Sequence, residues 1–220
     1  MTNIIANTEK VKEFMLTSGQ YVGVNYGITK ENSQLIELRR DLINEELNEL
    51  SDAIEEENTI EILDALCDIE YVLLGAMITF GIKPEKIVIH DFELYDNIAG
   101  LLELNETIFR NIKSLRNKEI SQSDFSNLYA DLILFRQTLS TNGIDYDYLF
   151  QKAFDRVHES NMTKFCKTER EAIDTCQIYK IRNTSTYYDK VNDLFVVKRS
   201  SDSKVLKSIN YKPVVLFDLF

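Results

Sequence analysis

A block of acidic residues sets the main restriction on how this chain can fold. Residues 45–70, EELNELSDAIEEENTIEILDALCDIE, contain eleven Asp and Glu side chains and no Lys or Arg. The chain of 220 residues has 25 basic and 36 acidic side chains, so this block accounts for the entire formal charge of −11. Repulsion of this kind destabilises a compact structure. The carboxylates must therefore be solvated or be neutralised by a cation.

The rest of the sequence predicts a helical protein. Glycine and proline total 9 residues (7 and 2), which disfavours an all-β fold with many tight turns. Apolar periodicity and end signals predict helices over residues 8–18, 33–56, 59–80, 86–117, 122–141, 145–159 and 169–181. Two later apolar runs, 194–198 and 204–211, are typical of the two strands of a β-hairpin. The expected fold class is all-α, an antiparallel helix bundle with a small C-terminal β-hairpin.

Composition disfavours several classes of protein. No apolar run approaches the ~20 residues that a membrane-spanning helix needs, and the N-terminal sequence lacks the basic and apolar pattern of a signal peptide. The acidic charge disfavours nucleic acid and anionic membranes as partners, because both attract basic surfaces. The three cysteines have no metal-knuckle spacing and are expected to be reduced thiols. We expect a cytoplasmic protein without a nucleic acid or membrane partner.

Helical periodicity indicates that part of the acidic block points inward. Residues three, four and seven apart share a helix face, and Leu35, Leu38 and Leu42 form one such apolar row. The row continues through three acidic residues: Glu45, Glu46 and Glu49. By contrast, residues 55–57 lie at a helix end and are expected to be solvated.

The second helix of the block repeats this arrangement. Glu61, Asp64 and Asp68 share a face that continues through Val72 and Gly75, and a short turn would bring this face opposite the first. Ionised carboxylates that converge in a partly dry bundle are costly unless a cation joins them. Oxygen ligands without histidine or thiolate favour Mg²⁺, with Mn²⁺ as the alternative, over zinc or copper. We therefore expect a divalent-metal cluster, and a solvated acidic face is the competing interpretation.

These residues resemble a known family. EExxE at residues 45–49, followed by DALCDIEYVLLGAMITFGI at residues 64–82, is similar to the two metal helices of the all-α nucleoside triphosphate pyrophosphohydrolases. That group comprises the MazG-like and phosphoribosyl-ATP pyrophosphohydrolase-like proteins. Residues 154–165 and 202–211 resemble the nucleotide-side segments of one of its branches. The resemblance covers residues 8–90 and 145–215, and it implies the MazG-like helix bundle.

The resemblance also implies an activity. Such a protein is a Mg²⁺-dependent hydrolase that cleaves an NTP or dNTP between its α- and β-phosphates, giving the monophosphate and pyrophosphate. Glu46, Glu49 and Asp68 would hold metal, and Glu45 would be catalytic, either binding a further metal or activating water. The family's helix hairpins complete a bundle across subunits, which implies a homodimer or homotetramer. A non-catalytic nucleotide- or metal-binding module on the same fold is the alternative.

The second acidic motif departs from the family pattern. The family's motif is ExxD, and counted back from Asp68 its Glu position is Ala65. Two neighbours are alternatives for the missing metal ligand: Asp64, on the same face, or Glu61, through the pairing Glu61-x-x-Asp64.

The later segments supply the expected substrate-binding residues and complete the domain organisation. The substrate-binding residues are Asn161, Lys164, Lys204 and Lys207. We expect one composite domain with a metal-binding helical core (1–90), a helical insertion (91–143), and nucleotide-side helices with the β-hairpin (144–220).

Arg39 and Arg40 are expected to form helix-surface pairs, and the alternative is that one of them reaches a phosphate in a dimer. His158 and Cys67 are expected to pack in the interior.

Overall fold

The computed structural model describes residues 4–25, 27–83, 122–140 and 145–220, which form six α-helices and a two-stranded antiparallel sheet. The helices are α1 (Ile4–Thr17), α2 (Ile36–Glu55), α3 (Thr59–Thr79), α4 (Gln122–Ser140), α5 (Tyr146–Met162) and α6 (Glu169–Ile181). The strands are β1 (Thr186–Val191) and β2 (Leu194–Arg199). The expected fold class, an all-α bundle with a C-terminal β-hairpin, is confirmed. Among the described helices, none is both long and apolar enough to cross a membrane.

The hairpin differs from the prediction in one of its strands. β2 coincides with the predicted strand 194–198, but it pairs with β1 and not with residues 204–211. The later segment contributes only an isolated bridge between Lys198 and Val205. The missed signal is the two-residue connection between the true strands, where Asn192 adopts a left-handed φ of 54°. Asn tolerates that conformation better than most residues, and tight hairpin turns require it.

The predicted helices agree with the described ones apart from their ends. α1 begins at Ile4 and not at residue 8, and the predicted helix 86–117 lies outside the described residues. The described part of the predicted 91–143 insertion includes α4, which packs against α3 and α5. The division into 1–90, 91–143 and 144–220 stays a prediction.

The α2–α3 hairpin is built around α3, the central helix of the bundle. α3 contacts α1, α2, α4 and α5, and most of its side chains beyond its first turn are buried. Residues 56–58 join α2 to α3, and the Asn58 side chain caps α3 by accepting a hydrogen bond from the Glu61 amide. Such caps stabilise a helix by about 1 kcal/mol. The short connection brings the acidic faces of the two helices together.

A buried ion pair joins α4 to α3. Arg136 Nη1 donates to Glu70 Oε2 at 2.9 Å, and both side chains are fully buried. Glu70 Oε1 accepts a second hydrogen bond from Asn7 Nδ2 of α1 at 2.8 Å. The Arg136 guanidinium also lies 3.9 Å from the ring centroid of Phe150 on α5. One acidic residue of the block is thus neutralised inside the core.

The connection between α1 and α2 folds over the C-terminal end of α3. Gly23 N donates to Ile78 O at 2.9 Å, and Asn32 Nδ2 donates to Thr79 O at 3.1 Å. Gly23 is required here because a Cβ atom at this position would lie 2.5 Å from Thr79 O. The connection thereby holds Gln20 against the α2–α3 hairpin.

Candidate active site

The acidic faces of α2 and α3 line a cleft of about 690 Å³. Its opposite side is formed by the end of α5 and by the segment after β2. Nine of the ten predicted site residues line this cleft: Glu45, Glu46, Glu49, Asp64, Asp68, Asn161, Lys164, Lys204 and Lys207. The tertiary structure therefore joins side chains that are up to 162 positions apart (207 − 45) in the sequence.

The apolar row predicted on α2 also faces the cleft. Leu35, Leu38 and Leu42 line it and are only partly buried. The hydrophobic core is contacted instead by the second apolar row of the helix: Ile43, Leu47, Leu50 and Ile54. At the end of the helix, residues 55–57 are exposed to solvent, as expected. The acidic residues of α2 are thus divided between the cleft and the solvent.

Four carboxyls in the cleft have raised pKa values: Glu46, Glu49, Asp64 and Asp68. Burial, together with the nearby Asp68 and Glu49, raises the pKa of Glu46 to about 9. Burial and the Asp68 carboxylate raise the pKa of Asp64 to about 7. Burial also raises the pKa of Asp68 to about 6, although the Lys164 ammonium opposes this shift. In the absence of a cation, the cluster therefore holds protons that isolated carboxyls lose near pH 4.

The donor set of this cluster suits a hard divalent cation. Asp64 Oδ1 is buried and has no hydrogen-bond partner among the described residues, so one carboxylate oxygen is already desolvated and uncommitted. Within the described ranges, no three Asp, Glu, His or Cys side chains are grouped to hold a metal by themselves. Mg²⁺ in phosphate-binding sites is held by one or two carboxylates together with substrate phosphates and water. The carboxylates of the cleft fit that mode of binding.

The geometry indicates which acidic residue could serve as the metal ligand that is missing at the position of Ala65. Ala65 is buried in the core, whereas Asp64 and Asp68 lie one turn apart and both face the cleft. Glu61 is exposed in the first turn of α3 and is not among the cleft-lining residues. Its carboxylate still contributes to the raised pKa values of Glu49 and Asp64. Of the two alternatives, the geometry favours Asp64.

Basic residues face the carboxylates from the C-terminal side. Lys204 Nζ contacts Glu45 Oε2 at 2.5 Å, in a partly exposed ion pair. Burial lowers the pKa of Lys164, and the nearby Asp68 carboxyl partly opposes that change. Lys207 Nζ lies 4.7 Å from the ring centroid of Tyr211. The cleft therefore has one acidic wall and one basic wall.

Asn161 supports the turn after α5 and also faces the cleft. Its carbonyl oxygen accepts a hydrogen bond from the Lys164 amide at 3.0 Å. Its side chain is largely buried, lines the cleft and makes no hydrogen bond to another described residue. The amide is therefore available to a ligand.

Three basic residues of the cleft were not among the predicted site residues: Arg39, Lys198 and Arg199. Arg39 was expected on the helix surface, but it is 94% buried (6% exposed) and lines the cleft. It follows Leu35 by four residues and precedes Leu42 by three, so the same periodicity could have placed it there. Arg40 does pair with Glu37 and Asp41, as expected.

The two other side chains with a packing prediction lie in the interior. The ring nitrogen His158 Nδ1 is 3.0 Å from the Tyr71 hydroxyl. Cys67 is fully buried. Both predictions are confirmed.

Comparison with known proteins agrees with this architecture. Residues 24–90, which include α2 and α3, match the family model for phosphoribosyl-ATP pyrophosphohydrolase. The chain is also 33% identical over 238 residues to "Uncharacterized protein L479" of Acanthamoeba polyphaga mimivirus. That alignment covers 94% of this chain and 92% of the viral protein. No solved structure matches the chain.

The helical bundle and the family match define the class of protein, an all-α pyrophosphohydrolase fold. The chain belongs to the phosphoribosyl-ATP pyrophosphohydrolase family, within the MazG-like NTP pyrophosphohydrolase superfamily. Membership implies a pyrophosphohydrolase-like function, that of a hydrolase acting on the pyrophosphate bond of a nucleotide.

Proposed function

We propose that this protein is a Mg²⁺-dependent nucleoside triphosphate pyrophosphohydrolase that cleaves an NTP or dNTP between its α- and β-phosphates. One water is consumed, and a nucleoside monophosphate and pyrophosphate leave. The observation that carries the proposal is the cleft itself, in which carboxylates on α2 and α3, three of them partly buried, face Lys164, Lys204 and Lys207. A polyanionic substrate with a divalent cation complements both walls, because the cation neutralises the acidic wall and the lysines neutralise the phosphates.

Each side chain of the cleft has a proposed role in the reaction. Glu46, Glu49, Asp64 and Asp68 are the proposed Mg²⁺ ligands, and Mn²⁺ is an alternative ion for the same oxygens. When bound, the cation supplies charge stabilisation at the phosphates and a water of lowered pKa. Glu45 accepts the proton of the attacking water and is positioned by Lys204. Asn161 donates its amide hydrogens to a phosphate or sugar oxygen.

The test is pyrophosphate release from a panel of NTPs and dNTPs, with Mg²⁺ and with EDTA. We expect release only with the cation, and we expect Glu49→Gln to lower kcat by roughly two orders of magnitude or more, since it removes a proposed metal ligand. The fold should remain intact, because the substitution removes a like charge from the cluster. Glu56→Gln is the matched control, since it makes the same change on an exposed residue after α2. Retained activity in Glu49→Gln would contradict the proposed site.

A nucleotide- or metal-binding module without turnover is a second candidate function. One observation favours it: Ala65 stands at the Glu position of the second acidic motif. The same assay separates the two functions. Binding of nucleotide and Mg²⁺ without pyrophosphate release from any member of the panel would favour the module.

The proposal includes a homodimer or homotetramer as the functional assembly. It rests on the family, whose helix hairpins complete a bundle across subunits. Light scattering of the full chain tests it, and a monomer at assay concentrations would contradict it.

A further inference from the structure

The part of the cleft around Arg39 contains several apolar side chains. Apolar side chains from three helices line it: Val11, Met15, Leu38, Leu42 and Val72. One cationic group, Arg39, lies among them. Arg39 and Glu46 are on the same face of α2, seven residues or about 10 Å of helix rise apart. This apolar part therefore adjoins the carboxylates.

Three neutral groups hold the Arg39 guanidinium in place. Its Nε donates to Thr79 Oγ1 at 2.8 Å, and its Nη2 donates to Gln20 Oε1 at 3.0 Å. Nη2 also lies 4.0 Å from Met15 Sδ. In the described part of the chain all of its hydrogen-bond partners are uncharged, and Nη1 donates to none of them. A largely buried cation thus has donor hydrogens left over at the wall of the cleft.

Gly75 makes the room for this group. A Cβ atom at Gly75 would lie 3.2 Å from Arg39 Nη1 and 3.8 Å from Val11 Cγ1. Gly75 lies inside α3, where glycine is otherwise a poor helix former. Its presence therefore has a structural reason, which is the close approach of the guanidinium.

The two oxygen atoms that bind Arg39, Thr79 Oγ1 and Gln20 Oε1, already act as acceptors. The Thr79 hydroxyl accepts from Arg39 and donates to Gly75 O at 2.8 Å. Two donors of this group, Arg39 Nη1 and the Gln20 side-chain amide nitrogen, donate to none of the described residues and can donate to a ligand. A complementary ligand must have an apolar body and acceptor atoms on its edge.

We propose that Arg39 determines base specificity, by donating from Nη1 to the oxygen acceptors of an oxo nucleobase, and that this part of the cleft favours guanine, uracil and thymine over adenine and cytosine. The inference rests on the proposed nucleotide function. Guanine offers O6 and N7 as acceptors and thymine offers O4, whereas adenine and cytosine present amino donors at the corresponding edge. A phosphate is a poorer match, because apolar side chains lie around Arg39 and four lysines that suit phosphate also line the cleft: Lys164, Lys198, Lys204 and Lys207.

The experiment measures binding of GMP, UMP, AMP and CMP to the full chain by calorimetry. An unmet hydrogen bond to a charged group costs enough to change affinity by about tenfold to a hundredfold. We expect GMP and UMP to bind at least about tenfold more tightly than AMP and CMP, and Arg39→Gln to abolish that preference. Arg40→Gln is the matched control, since Arg40 is adjacent on α2 and does not line the cleft. It should keep the preference.

Gly75→Ala provides a second variant that keeps the charge. Alanine is the better helix former, and its Cβ displaces Nη1 from its present position, so we expect a folded protein with reduced base preference. If thermal melting shows that Arg39→Gln does not fold, the Gly75→Ala variant tests whether Arg39 sets the base preference.

Three results would overturn the proposal. In the first, the wild-type protein binds none of the four monophosphates or binds them equally. In the second, the Arg39 and Gly75 variants keep the base preference. In the third, Arg39→Gln loses affinity for all four monophosphates and for inorganic pyrophosphate by one common factor. The last result would make Arg39 a phosphate ligand. Monophosphate binding needs no hydrolysis, so failure of the proposed activity in the pyrophosphate assay is distinguishable from failure of this inference.

Discussion

Two parts of the molecule bury carboxylates from the same acidic block in different ways. Glu70 lies in the core, where Arg136 and Asn7 satisfy both of its oxygens. Asp64 lies on the cleft side of the same helix, and its buried Oδ1 has no partner among the described residues. Arg136 neutralises the first carboxylate, whereas no described residue donates a hydrogen bond to Oδ1 of the second.

This difference shows how a binding site is distinguished from a structural ion pair. A buried charge is tolerated when an opposite charge and hydrogen bonds compensate for its lost hydration. Where that compensation is incomplete, the carboxyls instead hold protons, as the raised pKa values of Glu46 and Asp64 indicate. A cation bound among the cleft carboxylates, as proposed, would supply the missing compensation.

The largest expected effect is in the core. Arg136→Met should lower the free energy of unfolding by about 3–5 kcal/mol, because it leaves Glu70 buried without an opposite charge. Urea unfolding of the full chain measures this. Arg170→Met is the control, since its pair with Asp174 is on the surface of α6 and exposed pairs contribute little. If both variants had the same free energy of unfolding, the core pair would contribute no more to stability than the surface pair, and the prediction would be wrong.

The second prediction concerns the cleft and its cation. Mg²⁺ at about 100 times its Kd should raise the free energy of unfolding by about 2.7 kcal/mol, because it binds only the folded cluster. Thermal melting with and without Mg²⁺ measures the change. Glu46→Gln should remove most of it and Glu56→Gln none. A cation effect that survives in Glu46→Gln would place the binding elsewhere.

The third prediction is a pH dependence in the absence of metal. Glu46, Asp64 and Asp68 keep their protons in the folded state up to pH values of about 9, 7 and 6, whereas unfolded carboxyls lose theirs near pH 4. The folded state therefore binds more protons above pH 4, and stability should fall as pH rises from about 4 to about 7, and to about 9 for the contribution of Glu46.

Urea unfolding in EDTA at several pH values tests this dependence. Glu46→Gln should reduce the loss of unfolding free energy between pH 4 and neutral pH by about 1–2 kcal/mol, allowing for partial solvent screening. A wild-type protein whose stability rises over the same range would contradict the raised pKa values.

The smallest expected effect is at the rim of the cleft. Lys204→Ala should change the free energy of unfolding by less than about 1 kcal/mol, because its pair with Glu45 is partly exposed. Its effect on KM for a triphosphate should be larger, since it removes a charge from the basic wall. Paired stability and kinetic measurements separate the two effects, and a large loss of stability would show that the pair is structural.

The helical part of the site could be predicted in detail from the sequence. The periodicity of α2 and α3 gave the rows that line the cleft, from Leu35 to Glu49 and from Asp64 to Gly75. It worked because a helix fixes the direction of each side chain relative to its neighbours three and four residues away. Glu61 failed to follow its row into the cleft because it lies in the first, exposed turn of α3.

The C-terminal region was less predictable. The apolar run 204–211 looked like a strand, yet β2 pairs with β1 through a two-residue turn at residues 192 and 193. Strand pairing depends on which segments meet, and local composition does not specify that. Arg136 as the partner of Glu70 was not predicted for a similar reason, since the two residues are 66 positions apart.

By itself, the sequence determined the helical class, the common cleft-facing direction of Glu46, Glu49, Asp64 and Asp68, and the separation of these residues from the solvated acids at 55–57. These are consequences of local geometry. Only the tertiary structure decided which basic residues face them, that Arg39 lies buried in the same cleft, and that Glu70 has a partner of its own. Such pairings are contacts between distant segments, and they follow from how the helices pack and not from the spacing within any one of them.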